Sequence, residues 1–379
     1  MSAHTRCLVL AVALASMLAL AGCTPETESS DVARSDASTA LLNETYEGVV
    51  GTPPSQSVSV TDGVTFWQVS CGEASVACAT PAAAAVAAAE SVGWSASVCD
   101  GKLAPDGWSA CIRQGIAAGA DVISLIGVDC APIAGALGEA AAAGVVTIGV
   151  SAEDCDAVGG TKLFSATTQQ LPDVSLEDWW KRVGALQAGW LIGRNDGAAK
   201  ILKVVFPDPS FGPLVAEGID DTVAEHPDSE VVSTLEIGNS DVVSGALVSK
   251  FSTALTENPD INAIAIPNDS WLVAGLAQAI ESSGRSSEIS VIGMFGSPAN
   301  FDLIRAGIGQ DATVAWSSSW DGYTAVDAAL RVLAKQPVQP GGLGMQVVDA
   351  DHNLPAEGAP FDFDPAIDYA RDYAAAWGR

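Results

Sequence analysis

Apolar residues recur along most of this chain as short continuous runs that do not alternate with polar ones. The runs at 64–69, 94–98, 121–127, 145–150, 199–206, 230–237, 261–267, 289–294 and 313–317 each span one strand length. Runs without alternation belong to strands covered on both faces, as in a parallel sheet. Between them lie stretches with helical spacing, at 81–92, 106–118, 131–143, 176–194, 211–225, 240–258, 270–283, 300–306 and 320–335. Strands alternating with helices predict an α/β fold. Some 320 residues exceed what one simple core holds, so two lobes are expected.

Two segments fall outside this rhythm. An apolar run from Leu8 to Ala21 follows the lone charge of Arg6 and ends in Leu20-Ala21-Gly22-Cys23. It is shorter than the roughly 20 residues of a spanning helix but suits the apolar region of a secretory signal. Its ending resembles a bacterial lipobox, which implies that residues 1–22 are removed and that Cys23 carries lipid. Residues 23–60 are polar, rich in Ser and Thr, and contain Pro53-Pro54; they read as a flexible tether.

With 17 Lys and Arg against 46 Asp and Glu, the formal charge is −29. Such a surface repels nucleic acid and anionic lipid, which excludes a nucleic-acid partner and leaves membrane contact to the lipid alone. Export changes the meaning of the eight cysteines. Cys7 leaves with the signal and Cys23 is lipidated, leaving Cys71, Cys78, Cys99, Cys111, Cys130 and Cys155. An even set in an oxidising compartment reads as disulfides. Of the 15 pairings six cysteines allow, the sequential one is expected: Cys71–Cys78, Cys99–Cys111 and Cys130–Cys155. A metal site is disfavoured, because no CxxC exists and only His226 and His352 remain beyond the leader.

From about Val64 to Lys335 the order of elements resembles the type I periplasmic binding proteins of the ribose and galactose class, the receptors of bacterial ABC importers. The resemblance is carried by CIRQGIAAGADVISLIGVDCAPIAGALGEAAAAGVVTIGV (111–150), INAIAIPNDSWLVAGLAQAIESSG (261–284) and ISVIGMFGSPANFDLIRAGIGQDATVAWSSSWDGYTAVDAAL (289–330). It implies two Rossmann-like lobes with parallel sheets, joined by a hinge of three crossovers near 166–168, 317–319 and 341–347. Residues 61–166 and 317–343 would form the N-terminal lobe, and 167–316 and 344–379 the C-terminal lobe. The segment 345–379 is longer than the class requires and is expected over the second lobe, anchored by Tyr373 and Trp377.

Ligands of such folds sit beyond the carboxyl ends of the strands, which nominates Trp67, Gln68, Asp100, Asp129, Asn268, Asp269, Phe295 and Trp316, with Trp271 and Trp320 nearby. Asn268-Asp269 matches the asparagine-aspartate position of the ribose class. Elsewhere the chain departs from that class: Gly149-Val150, Phe295 and Trp316 stand where an Asp-Arg pair, an Asp and a Gln are expected. A pocket short of donors and rich in aromatic rings predicts a ligand flatter and less polar than ribose: a nucleoside, an aromatic compound or a substituted sugar. No Arg or Lys falls at a predicted strand end, so a free carboxylate or phosphate is disfavoured. Asp129 has a second reading as the cap of the helix beginning at 131.

No GxSxG elbow, Walker loop, HExxH or dinucleotide fingerprint is present, so neither catalysis nor a cofactor is expected. The resemblance implies a monomeric receptor that hands a small neutral ligand to ABC permease subunits; a sensor signalling to a membrane receptor or kinase is the alternative.

Overall fold

The computed structural model describes residues 34–358, 363 and 367–379. The leader and Cys23 lie outside the described residues. The N-terminal lobe runs β1 (Thr65–Ser70), α2 (Val76–Ser91), β2 (Ser95–Asp100), α3 (Pro105–Ala117), β3 (Val122–Ile126), α4 (Ala134–Ala142), β4 (Val146–Val150) and β5 (Ala166–Thr167), preceded by α1 (Asp36–Glu47). Its sheet is parallel, in the order β2-β1-β3-β4-β5. All five residues of β3 are buried, as its unbroken VISLI run requires.

The C-terminal lobe begins with α5 (Leu176–Arg194), β6 (Lys200–Val205), α6 (Phe211–Ala224), β7 (Glu230–Glu236), α7 (Asn239–Ser244) and α8 (Leu247–Glu257). It continues through β8 (Ala263–Ala265), α9 (Asp269–Trp271), α10 (Ala277–Ser282), β9 (Ser290–Phe295), α11 (Pro298–Ala306) and β10 (Ala312–Ala315). Helix α12 (Ser318–Leu333), strand β11 (Gln346–Asp349) and helix α13 (Tyr369–Ala376) close the chain. The second sheet has the order β11-β10-β9-β8-β6-β7, with only β11 antiparallel to its neighbour. Two predicted helices are interrupted. The stretch 240–258 splits at Gly245, which adopts the left-handed conformation that glycine tolerates (φ 79°). The stretch 270–283 contains a π-helical turn, Leu272–Leu276.

Helix α12 crosses back to cover the N-terminal lobe. It packs so tightly on the alanine-rich α2 that a side chain at Gly322 would meet the Ala85 nitrogen at 2.4 Å. The chain passes from one lobe to the other after β5, after β10 and before β11, and backbone groups beside these passages are bound firmly. Gly341 N–H donates to the Gln169 carbonyl (2.7 Å), and the Gly341 carbonyl accepts from Trp320 Nε1 (2.8 Å) and Tyr373 Oη (3.0 Å).

Both ends of the described chain depart from the expected domain division. Residues 36–47, assigned to the tether, form α1 and pack on α5 of the C-terminal lobe, with Leu42 buried against Gly193. Ser35 caps this helix, accepting from Ser38 N–H at 3.2 Å. The strand-like segment that follows bridges Val49 to Met345, buries Pro53 and Pro54, and reaches the N-terminal lobe, where Val58 N–H donates to the Ala376 carbonyl (3.0 Å). The C-terminal segment also divides. Strand β11 belongs to the second lobe as expected, but α13 returns to the first, where Trp377 Nε1 donates to Asp327 of α12 (3.0 Å) and Arg379 to the Val92 carbonyl (2.7 Å). Tyr373 and Trp377 are anchors, though on the other lobe from the one expected. Two passages between the lobes are thereby added to the expected three.

The three sequential disulfides are present, with Cα separations of 5.3, 5.7 and 5.0 Å. They join β1 to α2, β2 to α3, and the loops after β3 and β4, so every staple lies in the N-terminal lobe. Cys130–Cys155 spans 25 residues, for which chain entropy gives about 3.5 kcal/mol. A Cys130→Ala/Cys155→Ala variant is expected to lose about that much in urea unfolding, and a loss under 1 kcal/mol would contradict it.

Candidate functional site

Strand β1 sorts its side chains by parity. Phe66 faces α2 and α12, among Ala85 and Ala88. Trp67 faces the opposite way, onto Gly115 of α3. The ring nominated for stacking on a ligand is therefore part of the packing between β1 and α3. Gln68 shares the Phe66 face, in register with Ser124 of β3, and both are fully buried.

Around Gln68, at the carboxyl end of the first sheet, lies a polar set that sequence reasoning did not gather. Gln68 Oε1, Ser70 Oγ, Ser124 Oγ, Thr168 Oγ1 and Gln170 Oε1 are buried without a hydrogen-bond partner in the protein. The same set continues through Ser151, whose Oγ accepts from Gln170 Nε2 (2.7 Å) and donates to Asp321 in the first turn of α12 (3.1 Å). Each unpaired buried group costs about 1–3 kcal/mol. Each of these five gains from a hydroxyl-bearing partner or from water; Trp67 Nε1, on the opposite face of β1, is buried without a partner as well.

The C-terminal lobe offers the opposite chemistry. At the ends of β6, β9 and β10 and the start of α5, aromatic rings form a continuous cluster. Trp180 stacks on Phe211 (centroids 4.7 Å), Phe295 meets Trp316 (4.8 Å), and Trp316 meets Trp179 (5.0 Å). Of the nominated aromatics, Phe295 and Trp316 belong to this cluster. Trp271 packs on Phe206 in the second core (5.0 Å). Trp320 stacks on Tyr369 (4.9 Å) and holds the Gly341 carbonyl, so it locks the hinge. The Trp271 and Trp320 rings are both buried, 3% and 2% exposed.

The nominated carboxylates are also spent within the protein. Asp100 is exposed and accepts from the backbone N–H groups of Glu73 (3.0 Å) and Lys102 (2.9 Å), which hold its pKa low. Asn268 caps α9, accepting from Ser270 N–H at 3.0 Å. Asp269, only 1% exposed, points into the lobe. Its carboxylate accepts from Thr313 Oγ1 (2.7 Å), Gly296 N–H (3.1 Å) and Gln310 Nε2 (3.1 Å). Burial pushes its pKa up to about 7 against the pull of those donors. The turn that aims Gly296 N–H at Asp269 puts Phe295 at φ 97°, a conformation rare for an aromatic residue.

Asp129 neither touches this polar set nor caps the helix at 131. One oxygen accepts from Glu153 N–H in its own lobe (2.9 Å), the other from Ser210 N–H in the opposite lobe (3.1 Å). Beside it the Glu153 carboxyl is shifted up by burial, then by Asp129, Glu177 and Asp156. Lys181 pairs with Glu177 (2.8 Å) and Glu217 (2.9 Å).

The residues missed carried a positional signal. Ser70 and Ser151 end or follow strands, and Trp180 and Phe211 open helices beside strand ends, yet none stood out by residue type.

Two α/β lobes built on parallel sheets are the fold of the type I periplasmic binding proteins. The chain belongs to the periplasmic binding protein family, whose domain matches residues 78–337. No curated protein matches it by sequence. Among solved structures it is similar to an ABC transporter solute-binding protein from Agrobacterium vitis bound with α-D-tagatopyranose. That match has 19% identity and a TM-score of 0.65, covering 80% of this chain and 100% of the other. GanP, a glucose-galactose binding protein from Geobacillus stearothermophilus, matches at 19% identity and TM-score 0.64 over 78% and 100%. A solute-binding protein from Mycobacterium smegmatis with bound glycerol matches at 18% and 0.63 over 81% and 100%. Among the described residues no helix is long and apolar enough to cross a membrane.

Proposed function

We propose that this chain is the substrate-binding lipoprotein of an ABC importer, and that it captures a small neutral sugar or polyol between its lobes. The observation that carries this reading is the group of unpartnered buried oxygens on Gln68, Ser70, Ser124, Thr168 and Gln170, which a polyhydroxylated ligand would satisfy and a flat aromatic one would not. The aromatic rings stack on one another, and Trp316 and Trp180 are only 2% and 4% exposed, so they offer a wall to the cleft rather than a slot for a planar guest. Of the nucleoside, aromatic compound and substituted sugar expected above, this reading favours the sugar, the class named for several structural neighbours. Both lobes come from one chain, so a monomer suffices. The lipobox-like ending supports attachment through Cys23 to the outer face of the cell membrane, with ABC permease subunits as the receiving partner.

Thermal-shift and calorimetric titration with D-tagatose, D-allose, D-galactose, allitol and glycerol, against adenosine and benzoate, tests the ligand class. At least one sugar or polyol is expected to bind. Ser70→Ala and Gln170→Ala should each weaken it roughly five- to hundredfold, the range for one lost buried hydrogen bond. Binding of adenosine or benzoate alone would overturn the assignment.

A further inference from the structure

We propose that Asp129 is the closing residue of the cleft: its carboxylate caps helix α6 of the opposite lobe, and it sets ligand affinity through the population of the closed form. Helix α6 is 14 residues long, has no acidic residue in its first turn, and receives no cap from the Ser210 side chain. Asp208, the nearest acid before it, is engaged elsewhere, accepting from Asn239 N–H at 2.6 Å. The missing cap comes from across the cleft, where Asp129 accepts from Ser210 N–H at 3.1 Å. A carboxylate at that position satisfies an orphan donor and opposes the helix dipole. The contact exists only while the lobes are together, so its free energy belongs to closure and not to the folding of either lobe.

The rest of the rim holds Asp129 in place. Its second oxygen is taken by Glu153 N–H (2.9 Å). The adjacent Cys130 is fixed twice, by its disulfide to Cys155 and by its own N–H donating to the Glu153 carbonyl (2.9 Å). The loops after β3 and β4 are thereby joined into one rigid support, and the third disulfide acquires a purpose beyond stability. Both carboxylate oxygens are engaged by backbone donors, one from each lobe, so Asp129 acts here as a positioning residue.

The test uses the full chain with nitroxide labels on Val158→Cys and Val243→Cys, exposed positions at the rims of the two lobes (73% and 78%), read by pulsed electron–electron distance measurement. Wild type should show a short inter-label separation. Asp129→Asn removes the charge at one end of the contact. Ser210→Pro removes the donor at the other, at a φ of −56° that proline accepts. Each should lower the ratio of short to long separations roughly three- to thirtyfold, the worth of one helix cap, and the double variant should shift it no further than either alone. Cys130→Ala/Cys155→Ala, which removes this disulfide alone, should move it the same way by less. Melting temperatures of Asp129→Asn and wild type should agree within about 2 °C, separating closure from folding. An unchanged distance distribution in both single variants, or a wild type with only the long separation, would overturn the proposal.

Discussion

Alanine at Asp327 is expected to destabilise the protein by about 3–5 kcal/mol, the cost of leaving a buried guanidinium without its counter-charge. Asp327 and Arg331 face each other one turn apart on α12, with side chains 2% and 0% exposed. Arg331 donates through Nε to one carboxylate oxygen (2.7 Å) and through Nη2 to the other (3.2 Å) and to the Gln56 carbonyl (2.8 Å). Trp377 Nε1 completes the group by donating to Asp327 (3.0 Å). This one pair therefore secures both the segment after α1 and the C-terminal helix. Urea unfolding followed by tryptophan fluorescence would give the loss, and limited proteolysis should show earlier cleavage near residue 379. A paired Asp327→Leu/Arg331→Met variant should recover most of the stability, because the pair's Coulombic gain is offset by its desolvation. A single variant within 1 kcal/mol of wild type would refute the assignment.

Asp269 should make the C-terminal lobe less stable as pH rises. Its folded-state pKa, pushed up to about 7 by burial, lies above the ordinary 3.8. Between those values the native state keeps a proton that the unfolded chain has released. Stability from this group is thus fully present below about pH 4 and lost as pH climbs through 7. The integrated loss is on the order of 4 kcal/mol. Asp269→Asn should abolish that component. It should also cost roughly 1–3 kcal/mol at pH 5, since an amide N–H₂ would face Thr313, Gly296 and Gln310 donors. Calorimetry between pH 4.5 and 8 decides: the wild-type melting temperature should fall more steeply than the variant's, whereas parallel slopes would mean that Asp269 does not titrate in this window.

The fold was legible because the central parallel strands, buried on both faces, leave unbroken apolar runs and the helices between them keep their period; the edge strands β2 and β7 are part-exposed. Helix α5 was expected at the residues it occupies, and most strands within one or two positions. The same property hid the site. A strand buried on both faces carries no alternation, so nothing in TFWQVS told which of Trp67 and Gln68 faces α3 and which the polar set. Asp269 misled for a related reason: its place in the chain fits a ligand-binding carboxylate, but the turn at Phe295-Gly296 draws its side chain inward, and a positive φ at an aromatic residue has no sequence signature. Helix α1 was missed because DASTALLNETYE is too polar to predict a core element. Its order comes from docking Leu42 on α5 and Tyr46 on Asp349, contacts between residues some 150 to 300 positions apart.

Where the chain is held by its N-terminal end, the docking of α1 on α5 decides which half of the molecule moves least. Ser35 N–H, one residue into the described chain, donates to Asp196 beside the end of α5 (3.0 Å). From there α1 lies along the C-terminal lobe before the chain passes the hinge. Tension drawn from the N-terminal end is taken up first by α5 and β11. If that end is held at a membrane, the C-terminal lobe is the stator and the disulfide-stapled lobe the rotor, so any partner gripping the fixed half meets the same surface whether the cleft is open or shut.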